Sequence, residues 1–310
     1  MTDRSTDHPA LAPRPFVDRP ASDVAAATDA AIAAARRWDL PPPTLLRRGM
    51  NAIFEAADVV IRVGAPTAPM SASVELARTL LAHGIPVPEP VDRAIAHDSA
   101  SGLTASGWRR IRPVPAPVDW RAVGSIVRRV HDLPVDAVSG GYPVADPRRF
   151  PWWDFDALLD DVGRDVDAPA RHGIAAVVER HRVWRHLVGE RPCVCHGDMH
   201  PGNVMMSGDG PVLLDWDLLC WANPAWDHGM LAGYARRWAG PPATYQAFVD
   251  GYGRSFDDTE VLAAVRDLRD VAATLMRVRA GRTDPEARAE ASRRLEFYRG
   301  AKDPPVWRLQ

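Results

Sequence analysis

Residues 193–219 interrupt a helical pattern that otherwise runs from residue 119 to residue 298. Two short apolar runs, Cys193-Val194-Cys195 and Val212-Leu213-Leu214, lead straight into ligand-capable side chains. His196, Asp198, His200 and Asn203 follow the first run; Asp215 and Asp217 follow the second. Runs this short read as strands. Helices are expected around them at 119–132, 152–162, 172–189, 225–238, 243–254, 258–280 and 285–298. Such a chain must fold small strands into a helical body. It must also leave each acid at a strand end, where backbone groups and solvent meet.

The first part of the chain has a different pattern. A helix capped by Ser22 or Asp23 runs to Trp38, and Pro41-Pro42-Pro43 ends it. The turn Gly49-Met50-Asn51 separates two strands, the second being the β-branched run 57–63. A helix follows over 71–83, with Val74, Leu76, Leu80 and Leu81 apolar and Gly84 at its end. Residues 91–112 hold two more strands joined by a turn at 99–102. Pro113, Pro115 and Pro117 form a stiff connector. The division expected is a disordered tail at 1–20, a β-rich lobe at 21–112, a hinge at 113–117 and a helical lobe at 118–310.

Composition removes several classes of function. Basic and acidic residues number 38 and 40, for a net charge of −2. That balance excludes a general nucleic-acid binder, which needs a basic excess. Among the basic residues only Lys302 is a lysine, so Schiff-base chemistry in the body of the fold is excluded. No apolar run spans a bilayer, and residues 1–20 lack the pattern of a signal peptide. With three cysteines and no disulfide framework, a cytoplasmic protein without a membrane partner is expected. Cys193 and Cys195 read as small apolar residues of a buried strand, with metal ligation as the alternative.

His196, Asp198 and Asn203 keep the offsets of the protein-kinase catalytic loop H-R-D-L-x-x-x-N, with Gly197 in place of the arginine. Asp215-Trp216-Asp217 stands where D-F-G follows a hairpin. The logic is that of phosphoryl transfer. One carboxylate meets the acceptor hydroxyl, while an amide and a second carboxylate supply oxygen to magnesium.

The run H-G-D-x-H-P-G-N-V followed by D-W-D resembles the aminoglycoside phosphotransferase family, whose relatives include choline and fructosamine kinases. Asn223-Pro224-Ala225-Trp226-Asp227 is similar to its D-P-A-x-D-L-A segment. Val130-His131-Asp132-Leu133-Pro134 is similar to its L-H-x-L-P, and Gly84-Ile85-Pro86-Val87-Pro88 to the segment after its upper-lobe helix. The resemblance covers roughly residues 44–300. It implies an α+β, protein-kinase-like two-lobe fold: a small antiparallel-sheet N-terminal lobe with one main helix that binds nucleotide, and a larger, mostly helical C-terminal lobe.

The resemblance further implies an ATP- and Mg2+-dependent kinase acting on a small-molecule hydroxyl, of the kind that includes antibiotic-resistance enzymes. Asp198 resembles the catalytic base, Asn203 and Asp215 the metal ligands, and His196 a loop brace. Asp227 resembles a buried acid under the catalytic loop. Arg62 stands at the position of the phosphate-binding lysine, with Glu75 as its ion-pair partner. Asp217 either touches a second metal or caps the next turn.

The acidic stretch 152–170, with Asp154 and Asp156, offers a field for a cationic substrate or an ordinary solvated helix face. Trp152 and Trp221 are candidates for stacking on a substrate. Two other readings stay open. A metallohydrolase would use His196, Asp198, His200 and Asp215 on zinc, but leaves Asn203 unexplained. A non-catalytic nucleotide-binding module is the second.

Overall fold

The structure, a computed structural model, describes residues 11–21, 23–98, 101–138 and 141–308. In chain order its helices and strands begin with α1 (Val24–Arg37), β1 (Thr44–Arg48), β2 (Ala52–Ala56), β3 (Val59–Gly64) and α2 (Met70–Ala82). Next come β4 (Pro90–His97), β5 (Thr104–Arg109), α3 (Trp120–His131), α4 (Val135–Val138), α5 (Phe155–Val162), α6 (Ala168–Arg180) and α7 (Trp184–Gly189). The remainder are β6 (Cys193–Cys195), β7 (Val204–Ser207), β8 (Gly210–Leu213), β9 (Cys220–Ala222), α8 (Ala225–Arg237), α9 (Ala243–Tyr252), α10 (Glu260–Ala280) and α11 (Pro285–Tyr298). No helix among the described residues is long and apolar enough to cross a membrane.

The chain divides into two compact units. The first takes residues up to Asp119, Asp132–Asp146 and Pro201–Cys220. The second takes Trp120–His131, Pro147–His200 and Trp221 onward. This departs from the linear division expected at 113–117. The reason is hydrogen bonding: Leu213 N donates to Pro86 O at 2.9 Å and Val114 N donates to Met206 O at 2.9 Å, which joins the β7–β8 hairpin to the first unit.

In the first unit a five-stranded antiparallel sheet has the order β1-β2-β3-β5-β4. Asp23 caps α1 by accepting from Ala25 N and Ala26 N, while Ser22 lies outside the described residues. The helix buries Ala27, Ala30, Ala31, Ala34 and Ala35 against Phe54, Ile61 and Val63 of the sheet. Small side chains on one helix face allow that close seating. The run 57–63 is not one strand. Ala57 and Asp58 form the turn of the hairpin from β2, Ala57 with a positive φ of 54°, and the strand starts at Val59.

Residues 11–20 are not a disordered tail, and residues 1–10 lie outside the described residues. Phe16 is fully buried and stacks on Tyr142 with centroids 5.0 Å apart. Ala12 N donates to Val144 O at 2.8 Å, and Thr67 N donates to Phe16 O at 2.8 Å. Burying Phe16 and Val17 supplies the apolar gain that a proline-rich segment otherwise lacks.

In the second unit the long helix α10 packs against α5, α7, α8 and α11, and α3 packs along α9. The helix expected over 172–189 is broken into α6 and α7. His181 ends α6, and its Nε2 lies 3.1 Å from Asp267 of α10.

Candidate active site

Asp198 lies in the second unit, just beyond β6. Its loop is fixed from below by Asp227 of α8, which is 1% exposed. Asp227 Oδ2 accepts from His196 N at 2.8 Å, and Oδ1 accepts from Gly197 N at 2.9 Å. Gly197 has φ 90°, a conformation that glycine supplies without strain and the arginine of the kinase pattern does not. Trp226 Nε1 donates to Gly197 O at 3.0 Å, and Asp198 N donates to His196 Nδ1 at 3.3 Å. His131 Nε2 completes the surroundings of Asp227 at 2.9 Å, and His131 Nδ1 lies 2.8 Å from Tyr252 Oη. Burial would raise the Asp227 pKa, but His131, His196 and the Gly197 amide hold it below the ordinary carboxylate value.

The Asp198 carboxylate meets cationic or potentially cationic groups at both oxygens. Arg269 of α10 pairs with Oδ1, and His200 Nε2 stands 3.4 Å from Oδ2. Burial pushes its pKa up; His200, Arg269 and His196 outweigh that and hold it well below the usual range. Asp198 is thus an ionised carboxylate, with its side chain 28% exposed. His200 serves as its hydrogen-bonding neighbour.

Asn203, Asp215 and Asp217 lie in the first unit. The hairpin pairs Val204 with Leu213, and Leu214 N donates to Asn203 O at 2.9 Å. That register sets Asn203 and Asp215 at the same end of the two strands. Asn203 is buried, whereas the Asp215 side chain is 41% exposed. Asp215 adopts a left-handed conformation, φ 61° and ψ 69°, which aspartate tolerates better than most residues.

Arg62 occupies the middle of β3, opposite Ile53 and Ser106. It pairs with Asp217 and stands 3.9 Å from Asp215 Oδ1. Burial would lower its pKa; Asp217 and Asp215 more than compensate and raise it. Asp217 is buried and accepts 3.0 Å from Asn51 Nδ2 as well, so it is an ion-pair and hydrogen-bond acceptor rather than a turn cap. Asn51 Oδ1 is buried without a hydrogen-bond partner. A Cβ on Gly64 would meet that oxygen at 2.1 Å, so Gly64 makes the room that Asn51 needs.

The backbone of the D-W-D segment is tied down too. Phe16 N donates to Asp217 O at 3.0 Å, and Tyr142 Oη donates to Trp216 O at 2.8 Å.

The expected Arg62–Glu75 ion pair is not formed. Glu75 lies on the exposed side of α2 and pairs with Arg78 at 2.6 Å. The nearer acids, Asp217 and Asp215, take its place beside Arg62. The later acids of the stretch are matched by arginines. Asp161 and Asp165 pair with Arg282 at 2.9 and 2.8 Å, and Asp161 also pairs with Arg279. Asp167 caps α6 and binds Arg299. Asp154 caps α5 by accepting from Ala157 N at 3.2 Å; Asp156 is exposed in the next turn. Trp152 stacks on Phe150 at 4.9 Å, and Trp221 is half-buried.

Sequence reasoning did not find Arg269, Asn51, Tyr142 or Phe16 as neighbours of these groups. Asn51 lies in the turn at 47–52, which resembles the family's short nucleotide loop, but no spacing ties it to Asp217. Arg269 is one of several arginines on a helix, and no local spacing marks it. For His131 the signal was present in the helix end Val130-His131-Asp132-Leu133-Pro134.

The class that the chain's sequence and fold define is that of small-molecule phosphotransferases acting on an alcohol group. Residues 51–268 match the model of the phosphotransferase enzyme family known as APH, and the chain belongs to that family. No curated protein matches the sequence at a significant level. Solved structures share the fold. Spectinomycin phosphotransferase APH(9)-Ia, in complex with ADP and spectinomycin, has a TM-score of 0.66 at 15% identity over 88% of this chain and 94% of that one. The GDP and kanamycin complex of APH(2")-IIia gives 0.67 at 16% over 88% and 98%. A choline/ethanolamine kinase family protein from Mesorhizobium loti gives 0.60 at 17% over 88% and 96%. The α+β fold, an antiparallel-sheet lobe followed by a mostly helical region, is therefore the expected kinase-like one.

Proposed function

We propose that this protein is an ATP-dependent small-molecule kinase that transfers the γ-phosphoryl group to a substrate hydroxyl, and that it works in the cytoplasm. The observation that carries the reading is the hairpin register, which puts the amide of Asn203 and the carboxylate of Asp215 at one strand end. Both are oxygen donors, one neutral and one charged. That is the donor set magnesium takes while keeping phosphate and water in its shell. When bound, magnesium supplies charge neutralisation at the phosphates.

In this reading Asp198 orients the acceptor hydroxyl and takes its proton. Asp227, through His196 and Gly197, fixes where the Asp198 carboxylate stands. Arg62 offers its guanidinium to phosphate oxygen, and Asp217 with Asn51 holds that guanidinium in place. Catalysis is then mainly positioning and electrostatic stabilisation.

A hydroxylated antibiotic of the aminoglycoside type is the first acceptor to test, since structures of the same fold hold spectinomycin and kanamycin. One observation favours a less cationic acceptor, such as a sugar, a macrolide or an amino-acid alcohol. The acids at 161, 165 and 167 are already matched by Arg279, Arg282 and Arg299. Asp154, Asp156, Trp152 and Trp221 are kept as acceptor-side candidates. The test is nucleoside diphosphate release with ATP or GTP across hydroxylated antibiotics, sugars and amino alcohols. Acceptor-dependent release that Asp198→Ala abolishes supports the reading. Full turnover by Asp198→Ala, or release without any acceptor dependence, refutes it.

A further inference from the structure

Cys193 and Cys195 are two apart on β6, so their side chains leave the same face of the strand. Their sulfurs lie 3.8 Å apart, and neither is in a disulfide. Two sulfurs held about 2.3 Å from one tetrahedral zinc ion stand about 3.8 Å from each other. The strand has thus set the thiol pair at the bite a tetrahedral cation requires. Val194 between them points the other way and is fully buried.

A third ligand is at hand. A ring nitrogen of His131, at the end of α3, and both sulfurs all lie within 4.8 Å of one another, the one such group among the described residues. His131 Nε2 is committed to Asp227, which as a carboxylate can only accept, so in the neutral tautomer Nε2 carries the proton and Nδ1 the lone pair. In that tautomer Nδ1 accepts from Tyr252 Oη, 2.8 Å away. A histidine whose second nitrogen donates to a carboxylate is the usual arrangement behind a metal ligand, since it fixes the tautomer and raises the basicity of the ligating nitrogen.

Charge also balances. Two thiolates and one divalent cation sum to zero, which suits a site this buried. Cys193 is the most accessible member, being half-buried, and gives a route in. Cys195 now directs its thiol toward Ala222 O at 3.5 Å and Asn223 O at 3.8 Å. Those weak contacts are cheaply given up when the thiol loses its proton.

We propose that Cys193, Cys195 and His131 form a binding site for one thiophilic cation of the zinc class, with Tyr252 Oη or water in the fourth position. The site is separate from the magnesium donors, which are all oxygens. It does not depend on the kinase reading.

The test uses the full, reduced, metal-free chain titrated with cobalt(II) as a spectroscopic probe, and with zinc in competition against a chromophoric chelator. One equivalent of cobalt should give sulfur-to-metal charge-transfer absorption, and zinc should abolish it while excess magnesium should not. Cys193→Ser and Cys195→Ser should each weaken zinc binding by more than about 100-fold, beyond what loss of a second-shell partner costs. Cys220→Ser should leave it unchanged. Zinc should also protect Cys193 and Cys195 from a thiol reagent in the native wild-type chain, a readout that needs no variant to fold. The proposal is overturned if no charge-transfer band appears, or if Cys193→Ser binds zinc as tightly as wild type. Equal loss in Cys220→Ser, or a Cys193–Cys195 disulfide forming in place of zinc protection, overturns it too.

Discussion

Arg269 pairs with Oδ1 of Asp198, so the proposed catalytic base shares its charge with an arginine from a helix far along the chain. The pair keeps the carboxylate ionised and stations it.

Arg269→Ala should therefore move the pH profile. The Asp198 pKa is depressed, burial opposing and His200, Arg269 and His196 prevailing. The base works only when ionised, so the acid limb of kcat/KM in the wild type lies below the ordinary carboxylate range of about 4. Removing Arg269 raises the pKa, and the acid limb should shift upward in pH. An unmoved limb in a folded Arg269→Ala protein would show that this arginine does not govern the base.

Asp227 should be costly to remove. Its partners His131, His196 N and Gly197 N are all buried, and truncation leaves them without an acceptor. Asp227→Ala should lose about 3–5 kcal/mol of stability in denaturant unfolding. The acid behaviour follows from the depressed pKa of Asp227. Its stabilising share is present above the unfolded value of about 3.9 and is lost as pH falls through the lower folded value. Asp227→Asn should remove that part of the acid dependence.

Asp270 gives the opposite sign. Burial pushes its pKa up to about 7, and Arg237 and Arg236 offset this only in part. Between about pH 4 and that value the folded chain holds a proton that the unfolded chain has released. The stabilising share of Asp270 is full below about 3.9 and is lost as pH rises through the folded value. Asp270→Asn should gain on wild type by on the order of 2 kcal/mol between about pH 5 and about pH 8. Thermal unfolding at the two pH values checks this gain; equal differences at both would refute it.

Gly64 and Asn51 should couple. A methyl group on Gly64 collides with Asn51 Oδ1, so Gly64→Ala should cost about 1–3 kcal/mol and weaken nucleotide binding by disturbing Asn51 and Asp217. In Gly64→Ala/Asn51→Ala the collision is gone. The double variant should then be more stable than the sum of the single losses by at least about 0.5 kcal/mol. Strict additivity in chemical unfolding would mean that the contact carries no strain.

The geometry of the hairpin end was legible because it is local. Asn203 and Asp215 flank one short hairpin, so spacing alone encodes that they share its end. The helices of the second part were legible by periodicity, and α11 was expected at its observed span. Partnerships across the chain leave no such trace. The resemblance pairs Glu75 with Arg62, yet the strand carries Arg62 to Asp217, which no periodicity connects to it. The turn at Ala57 was hidden because its residue type gives no warning of a positive φ. In residues 11–20 prolines dominate the pattern, while one aromatic residue, Phe16, decides where the segment goes.

Arginine at position 62 also changes how this protein responds to chemical labelling. Reagents that mark nucleotide-binding kinases by acylating a strand lysine need an amine that can shed its proton. A guanidinium whose pKa is driven still higher by Asp217 and Asp215 never does. With Lys302 the sole lysine of the chain, profiling by amine acylation would pass over an active enzyme and record it as missing.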